Sequence, residues 1–284
     1  MDILERLRCE LPSLPKKLAL AARHALDAPD RIALNSMRAT ASEVGVTSTT
    51  MLRLARQLGF DSYEDFRASF QQQLVTTGFG ARASALHRQR SDEIEDTLVG
   101  RIEAACHQNV SQALNRASLA DLSHVAGLMR AAPAIYLVGS GSLFWLANIM
   151  KTTGSMVLPS LRLVGTEHVV AAEGMGELRP EDIVICFGIS PCAVRTIDAM
   201  KFAVQRSAAT VALTDRPSSP LAQHASYSFF APTQSPHYYP SITAMTQLVE
   251  ALLATIVAEG DNEGLTRVKA FENQRRASAS YLEY

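Results

Sequence analysis

Cysteine is scarce and scattered. Cys9, Cys106, Cys186 and Cys192 include no CxxC pair, which excludes the usual zinc-ligand spacing and a disulfide-built scaffold and fits a reducing compartment. No metal ligand set and no cofactor is implied. An excess of one charge is also missing. Lys and Arg number 27 against 28 Asp and Glu, for a net charge of -1, so the chain taken whole has no polyanion-binding balance. Residues 1–20 lack the uninterrupted apolar core of a signal peptide, being broken by Asp2, Glu5, Arg6, Arg8, Glu10, Lys16 and Lys17. One stretch, between Arg130 and Lys151, is free of charge, but it contains Pro133, Gly139, Ser140, Gly141 and Ser142. It reads as a buried strand, a glycine turn and a helix, and no membrane partner is expected. Gly139-Ser140-Gly141-Ser142 does not complete the dinucleotide-binding GxGxxG: Phe144 takes the place of the third glycine and no acidic residue stands near position 160. That excludes a Rossmann dehydrogenase.

What is present is unevenly spread. Residues 1–90 carry 13 Lys and Arg against 9 Asp and Glu, and residues 91–284 carry 14 against 19. With 284 residues available, two domains are the better prior, with nucleic acid at the basic end only. Apolar residues recur at helical spacing over 14–26 and stop at Pro29. Short helices are predicted after Asp30 and over 37–44. Gly45-Val46-Thr47 then breaks the pattern, with a glycine suited to the positive φ of a sharp turn between two helices. Thr47 or Ser48 caps the next helix, which buries Met51, Leu54, Ala55 and Leu58, and Gly59 is a natural residue just past its end. Its opposite face presents Ser48, Thr49, Thr50, Arg53 and Arg56. Short hydroxyls allow close approach to a groove, and Arg53 can fork onto guanine O6 and N7 or onto a phosphate. An ordinary solvated basic face on a helical hairpin is the plainer alternative. Ser62-Tyr63-Glu64-Asp65-Phe66 reads as a further capped helix, with Tyr63, Phe66 and Phe70 inward.

The run Ser48-Thr49-Thr50-Met51-Leu52-Arg53-Leu54-Ala55-Arg56-Gln57-Leu58-Gly59-Phe60, followed by Tyr63 and Phe66, resembles the N-terminal DNA-binding domain of the RpiR (MurR/RpiR) family of bacterial regulators. Thr50, Arg53, Arg56, Leu58, Gly59 and Phe60 match the family pattern, and the likeness covers about residues 14–74. It implies a helix-turn-helix with Thr47, Ser48, Thr49, Thr50, Arg53 and Arg56 as DNA contacts on a palindromic operator. It also implies a cytoplasmic protein, nucleoid-associated when bound to DNA.

Residues 78–92, with Gly78 and Gly80 and no clear apolar period, read as a linker between a DNA-binding domain at 1–77 and a second domain at 93–284, although 81–86 suits a helix. A long helix follows, marked by Ile94, Leu98, Ile102, Ala105 and Val110. Beyond it, apolar runs at 134–138, 183–187 and 210–214 look like buried parallel strands, with helices at 143–153, 194–205 and 221–224. The fold class expected is an all-helical domain followed by a doubly wound parallel-sheet α/β domain. Such sheets bind ligands at the carboxyl ends of their strands. Two loops qualify, 139–142 and 188–193. Segment 122–259 is similar to the sugar isomerase (SIS) domain that follows the DNA-binding domain in the RpiR family. It shares the glycine loop, Pro180-Glu181-Asp182, Thr214-Asp215, Ser219-Pro220-Leu221-Ala222 and a long helix over 241–258.

That similarity implies a homodimer or homotetramer whose α/β domain binds a phosphorylated sugar or sugar acid without turning it over. The phosphate loop of the family reads Ser-x-Ser-Gly-x-Thr or Ser. Here it is Gly188-Ile189-Ser190-Pro191-Cys192-Ala193, with one hydroxyl of three, and Leu143 stands where a serine is expected, next to Ser142. Losing two charged hydrogen bonds of roughly 1.5–3 kcal/mol each lowers phosphate affinity on the order of a hundredfold unless backbone amides or Arg195 compensate. The effector contacts expected are Ser140, Ser142, Ser190, Cys192, Ala193, Arg195 and Tyr239. A less charged effector is a rival, with Leu143, Phe144, Trp145, Tyr238 and Tyr239 as lining, although core packing is the simpler role for Phe144 and Trp145. Cys192 at a helix N-terminus is either a lowered-pKa thiol or, more simply, structural. His168, His224 and His237 are scattered and suggest no metal site. The alternative from another class is a sugar-phosphate isomerase, for which Glu167 and Glu250 are the acids to nominate. The main reading has no catalytic residue: a regulator, by default a repressor relieved by ligand.

Overall fold

A computed structural model describes residues 3–77, 79–88, 94–165 and 171–278. The chain divides into two compact units, Met1–Ile102 with Ser235–Tyr239, and Glu103–Gln234 with Pro240–Tyr284.

The first unit is built from helices α1 (Ile3–Glu10), α2 (Lys16–Asp27), α3 (Pro29–Leu34), α4 (Met37–Val44), α5 (Ser48–Gln57), α6 (Tyr63–Thr77) and α7 (Phe79–Arg88). Leu18, Ala21, Ala22 and Ala25 form the buried stripe of α2, where the three alanines let its neighbours approach closely. They close on Met51, Leu54, Ala55 and Leu58 from α5 and on Phe66 and Phe70 from α6. The two phenylalanine rings meet edge to face, with centroids 4.9 Å apart, a geometry in which the positive ring edge faces the negative π face. The buried Tyr63 hydroxyl donates to Thr40 Oγ1 at 3.4 Å, and burial raises the Tyr63 pKa.

Within the segment read as a linker, Phe79–Arg88 is helical, which takes in the stretch 81–86 that suited a helix. Alanine-rich sequence favours helix there. Partners from far along the chain fix it: the Phe79 ring lies against that of Tyr239 at 5.1 Å, and Arg82 Nη2 donates to the Ser235 carbonyl at 2.8 Å. Spacing along the sequence carries no trace of either contact.

The second unit takes in most of the long helix α8 (Ile94–Arg116). After it come α9 (Leu119–Ala131), β1 (Ile135–Gly139), α10 (Ser142–Gly154), β2 (Leu161–Leu163), α11 (Ala171–Gly174), β3 (Ile183–Gly188), α12 (Val194–Gln205), β4 (Ala209–Thr214), β5 (Tyr227–Phe230), α13 (Thr243–Ala258) and α14 (Asn262–Ala277). All five strands are parallel, in the order β2-β1-β3-β4-β5. Successive residues of a strand face opposite ways. Ile135, Leu137, Ile183, Ile185, Phe187, Val211 and Leu213 therefore pack against α9, α10 and α13. Tyr136, Val138, Val184, Cys186 and Ala212 pack against α12 and the chain around Met175 and Leu178. This is the doubly wound sheet expected from the continuous apolar runs, which mark strands covered on both faces. Asp182 joins two strand beginnings: its buried carboxylate accepts the Ala134 N–H at 3.0 Å and the Arg179 N–H at 2.9 Å.

Two expectations are corrected. Residues 221–224 form hydrogen-bonded turns, with His224 N–H and Ala225 N–H both donating to the Leu221 carbonyl. Four residues after Pro220 are too few to repay helix nucleation before β5 begins. Trp145, expected in the core, is 66% exposed. Leu143, Leu146, Ala147 and Met150 take the buried stripe of α10, which turns position 145 outward. No helix of the described residues is long and apolar enough to cross a membrane.

Candidate functional site

The surface formed by α4 and α5 is held by three local devices. α4 ends in a Schellman motif, with Val46 N–H donating to the Ala41 carbonyl at 2.9 Å and Gly45 N–H to Ser42 at 3.2 Å. Gly45 has φ 73° and open space around the position of a Cβ, so the conformation rather than crowding calls for glycine. Thr47 caps α5 by accepting the Thr50 N–H at 3.2 Å. The end of α5 repeats the first device: Phe60 N–H donates to Ala55 at 3.0 Å and Gly59 N–H to Arg56 at 2.9 Å, with Gly59 at φ 76°. The helix is therefore fixed at both ends while its inner stripe is buried. Arg53, Arg56 and Thr49 are exposed, and Ser48 and Thr50 are partly so. Thr47 and Thr50 hydroxyls bond to each other at 2.9 Å, so two of the six predicted DNA contacts also serve the cap. The result is a rigid ten-residue helix offering hydroxyls at its N-terminal end and two guanidinium groups one turn on.

In the second unit the crossover from β1 leads to one side and the crossover from β3 to the other, so the strand order reverses between β1 and β3. Crevices of open α/β sheets form at this point. Glycine is needed at both strand ends. A Cβ on Gly139 would lie 2.4 Å from the Leu143 carbonyl oxygen, and one on Gly188 would lie 2.4 Å from Leu221 Cδ1 and 2.8 Å from Cys192 Sγ. The loop after β1 turns through Gly141 at φ 59°. A cleft opens there, lined by Val138, Gly139, Ser140, Val164, Gly165, Arg195 and Ala199. Ser140 Oγ bonds to Thr196 Oγ1 at 3.1 Å, tying the loop after β1 to the first turn of α12.

Residues 128–258 match the family model of the SIS domain. The second unit carries a SIS domain. Over 226 residues the chain is 24% identical to an uncharacterized HTH-type transcriptional regulator of Haemophilus influenzae, covering 80% of this chain and 78% of that one. Its fold is similar to that of the Vibrio vulnificus NanR protein complexed with ManNAc-6P, with a TM-score of 0.62 and 17% identity over 99% of this chain and 100% of that one. It is also similar to the sugar isomerase domain of an RpiR transcription factor from Sphaerobacter thermophilus, with a TM-score of 0.59 and 21% identity over 62% of this chain and 98% of that one. The RpiR resemblance noted in the sequence therefore has support from both halves: an HTH-type relative spanning most of the chain and a SIS domain at 128–258.

Within the SIS domain the predicted effector residues fall into two groups. Ser140 and Arg195 line the cleft, and Ser142 opens α10 beside it. Ser190, Cys192 and Ala193 form the loop between β3 and α12, facing the end of β4. There the Ser190 N–H donates to Asp215 Oδ2 at 3.3 Å, and Arg216 Nη2 donates to Ser190 Oγ at 2.8 Å. Arg216 Nε stands 3.9 Å from the same Asp215 oxygen. Burial pushes the Asp215 pKa up, and Arg216 and the Ser190 amide pull it partly back. Tyr239 groups with the first unit and Phe79.

Cys192 is not a lowered-pKa thiol. Burial, with a smaller contribution from the Asp215 charge, pushes it up to about 11, outweighing the helix terminus and leaving it protonated at neutral pH. Glu167 and His168 lie outside the described residues. Glu250 is exposed on α13 and accepts from Gln247 Nε2 at 2.6 Å. His224 and His237 are exposed, and no group of His, Cys, Asp or Glu among the described residues is arranged to hold a metal ion. The sequence reading missed Arg216 and Thr196. Thr196 was detectable, being a hydroxyl on the otherwise apolar stripe Thr196, Ala199, Met200 and Ala203 of α12. Arg216 reaches Ser190 from a neighbouring strand, a contact that needs the sheet.

Proposed function

We propose that this chain is a DNA-binding transcriptional regulator in which α5 enters the major groove and the SIS domain binds a small metabolite that modulates operator binding. The observation that carries it is the doubly capped α5, whose Arg53 and Arg56 face outward, on a chain that also holds a SIS domain. The HTH-type relative supports the same reading. The protein acts in the cytoplasm as a symmetric homodimer or homotetramer on a palindromic site, without catalysing a reaction. An effector that prefers one arrangement of the SIS dimer shifts the population of DNA-competent molecules. By default, ligand relieves repression. The Vibrio vulnificus NanR structure holds ManNAc-6P, which supports a sugar derivative as effector.

The test is selection of duplexes from a random library by the purified protein, followed by titration of the winning sequence. Enrichment of an inverted repeat whose affinity changes with sugar derivatives is expected. Equal affinity for random duplex at moderate salt would overturn the reading. Turnover of a sugar phosphate that disappears in Glu167→Gln would establish the isomerase instead.

A further inference from the structure

Residues 231–242 run from the end of β5 to the start of α13. Because all five strands are parallel, this connection leaves the same end of the sheet as the two glycine loops. Hydrogen bonds join it to them step by step. Ser140 Oγ meets Thr196 Oγ1 on the first turn of α12, the Ser190 N–H in the loop before α12 donates to Asp215 Oδ2, and the adjacent Thr214 carbonyl accepts the Ala231 N–H at 2.8 Å. The connection is then pinched into a compact loop with closed ends. Ser241 N–H donates to the Thr233 carbonyl at 3.1 Å, and buried Asn109 of α8 donates from Nδ2 to the Gln234 carbonyl at 2.6 Å. Between these points Ser235 Oγ accepts the His237 N–H at 3.1 Å and His237 Nδ1 accepts the Tyr239 N–H at 3.0 Å, so the tip is braced to move as one piece.

Ser235–Tyr239 groups with the first unit, although the residues on either side of it group with the second. Its partners there lie on α7. Arg82 Nη2 donates to the Ser235 carbonyl at 2.8 Å, and the rings of Phe79 and Tyr239 are 5.1 Å apart. α6 ends at Thr77 and α7 begins at Phe79, and α6 shares a core with α5 through Phe66 and Phe70. The loop is thus continuous in chain with the sheet and packed with the helices. A charge-assisted hydrogen bond and an aromatic pair together suffice to bias a two-state equilibrium by about tenfold or more. Resting on the regulator reading above, we propose that the loop 233–241 is the relay by which the strand ends of the SIS domain act on α7, with Arg82 and Phe79 as the positioning residues that receive it.

Hydrogen exchange read by mass spectrometry on the full-length protein tests this without a ligand. Coupling is reciprocal, so Arg82→Gln and Phe79→Ala should speed exchange at residues 188–193 and 214–219 by at least about fivefold, as well as at 79–88 and 235–239. His87→Ala, exposed on the same helix, should leave the strand-end segments unchanged. Faster exchange confined to 79–88 and 235–239 overturns the inference, because a purely structural clip moves nothing beyond its own contacts. Anisotropy on the selected duplex supplies a second arm. Gly188→Ala puts a Cβ 2.4 Å from Leu221 Cδ1 and 2.8 Å from Cys192 Sγ and so displaces the loop before α12, and Asp215→Asn loosens its hold on the Ser190 amide. Each should change duplex affinity by at least about fivefold in the wild-type background and by less than about twofold alongside Arg82→Gln. Equal changes in both backgrounds overturn the relay. Thermal melts identify a variant that fails to fold, and the other then carries the comparison. Intact duplex selectivity without coupling removes the inference alone, whereas absent selectivity with the exchange coupling intact removes the regulator reading alone.

Discussion

Arg53 provides the sharpest test of the α5 surface. At about 100° per residue it stands about 160° around the helix from the fully buried Met51. Truncating it should change folding stability by no more than about 0.5 kcal/mol, the usual range for an exposed position. On DNA, losing a bidentate contact to guanine costs about 1–3 kcal/mol, or a factor of about 5–150 in Kd per half-site, and roughly the square of that for a dimer on two half-sites. Fluorescence anisotropy with the selected duplex, from 50 to 300 mM salt, reads both affinity and its salt slope for Arg53→Ala and Arg53→Lys. If Arg53 reads a base, Arg53→Ala relaxes preference at one base pair per half-site, and Arg53→Lys does not restore it, because an ammonium lacks the fork. If it only neutralises a phosphate, affinity falls evenly across sequences, the slope of log K against log salt shrinks by about 0.9 per site, and lysine rescues both. Unchanged affinity and slope in Arg53→Ala would refute the placement of α5 in the groove.

The remaining expectations concern the scaffold. With a thiol pKa of about 11, Cys192 holds about 0.1% thiolate at pH 8 against about a quarter for an ordinary cysteine, and greater intrinsic nucleophilicity returns only about tenfold. Iodoacetamide should therefore modify Cys192 at least about twentyfold more slowly than exposed Cys9, as peptide mass spectrometry would show; faster labelling of Cys192 contradicts the burial argument. Any stability linked to that neutral thiol is present below the ordinary cysteine range and is lost as pH rises through about 11. Asp182→Ala leaves two backbone N–H groups without their acceptor and should lower stability by about 2–5 kcal/mol, seen as a reduced denaturant midpoint of the SIS transition. Gly45→Ala places a Cβ at φ 73° in otherwise open space, so about 1–2 kcal/mol of pure backbone strain is expected, with Gly45→Asn milder in the same melt.

The elements legible in the sequence are those whose information is local. The core stripe of α5 follows from apolar spacing, and its ends follow from Thr47 and the two glycines, because caps and positive-φ turns are decided by neighbours a few residues away. β1, β3 and β4 were legible because strands covered on both faces are continuously apolar. β2 is three residues long with an exposed Arg162, and β5 sits at the sheet edge with Phe229 its one buried position, so neither leaves such a run.

What the amino-acid order alone determined is the division of labour: a basic helical front with a capped, arginine-bearing helix, and an alternating α/β rear with two glycine loops at strand ends. The tertiary structure decided which side chains meet at those loops. Arg216 reaches Ser190 across 26 residues of chain, and Ser140 reaches Thr196 across 56, because parallel pairing brings the ends of β1, β3 and β4 side by side. No local periodicity encodes that adjacency; it comes from the order in which the strands assemble.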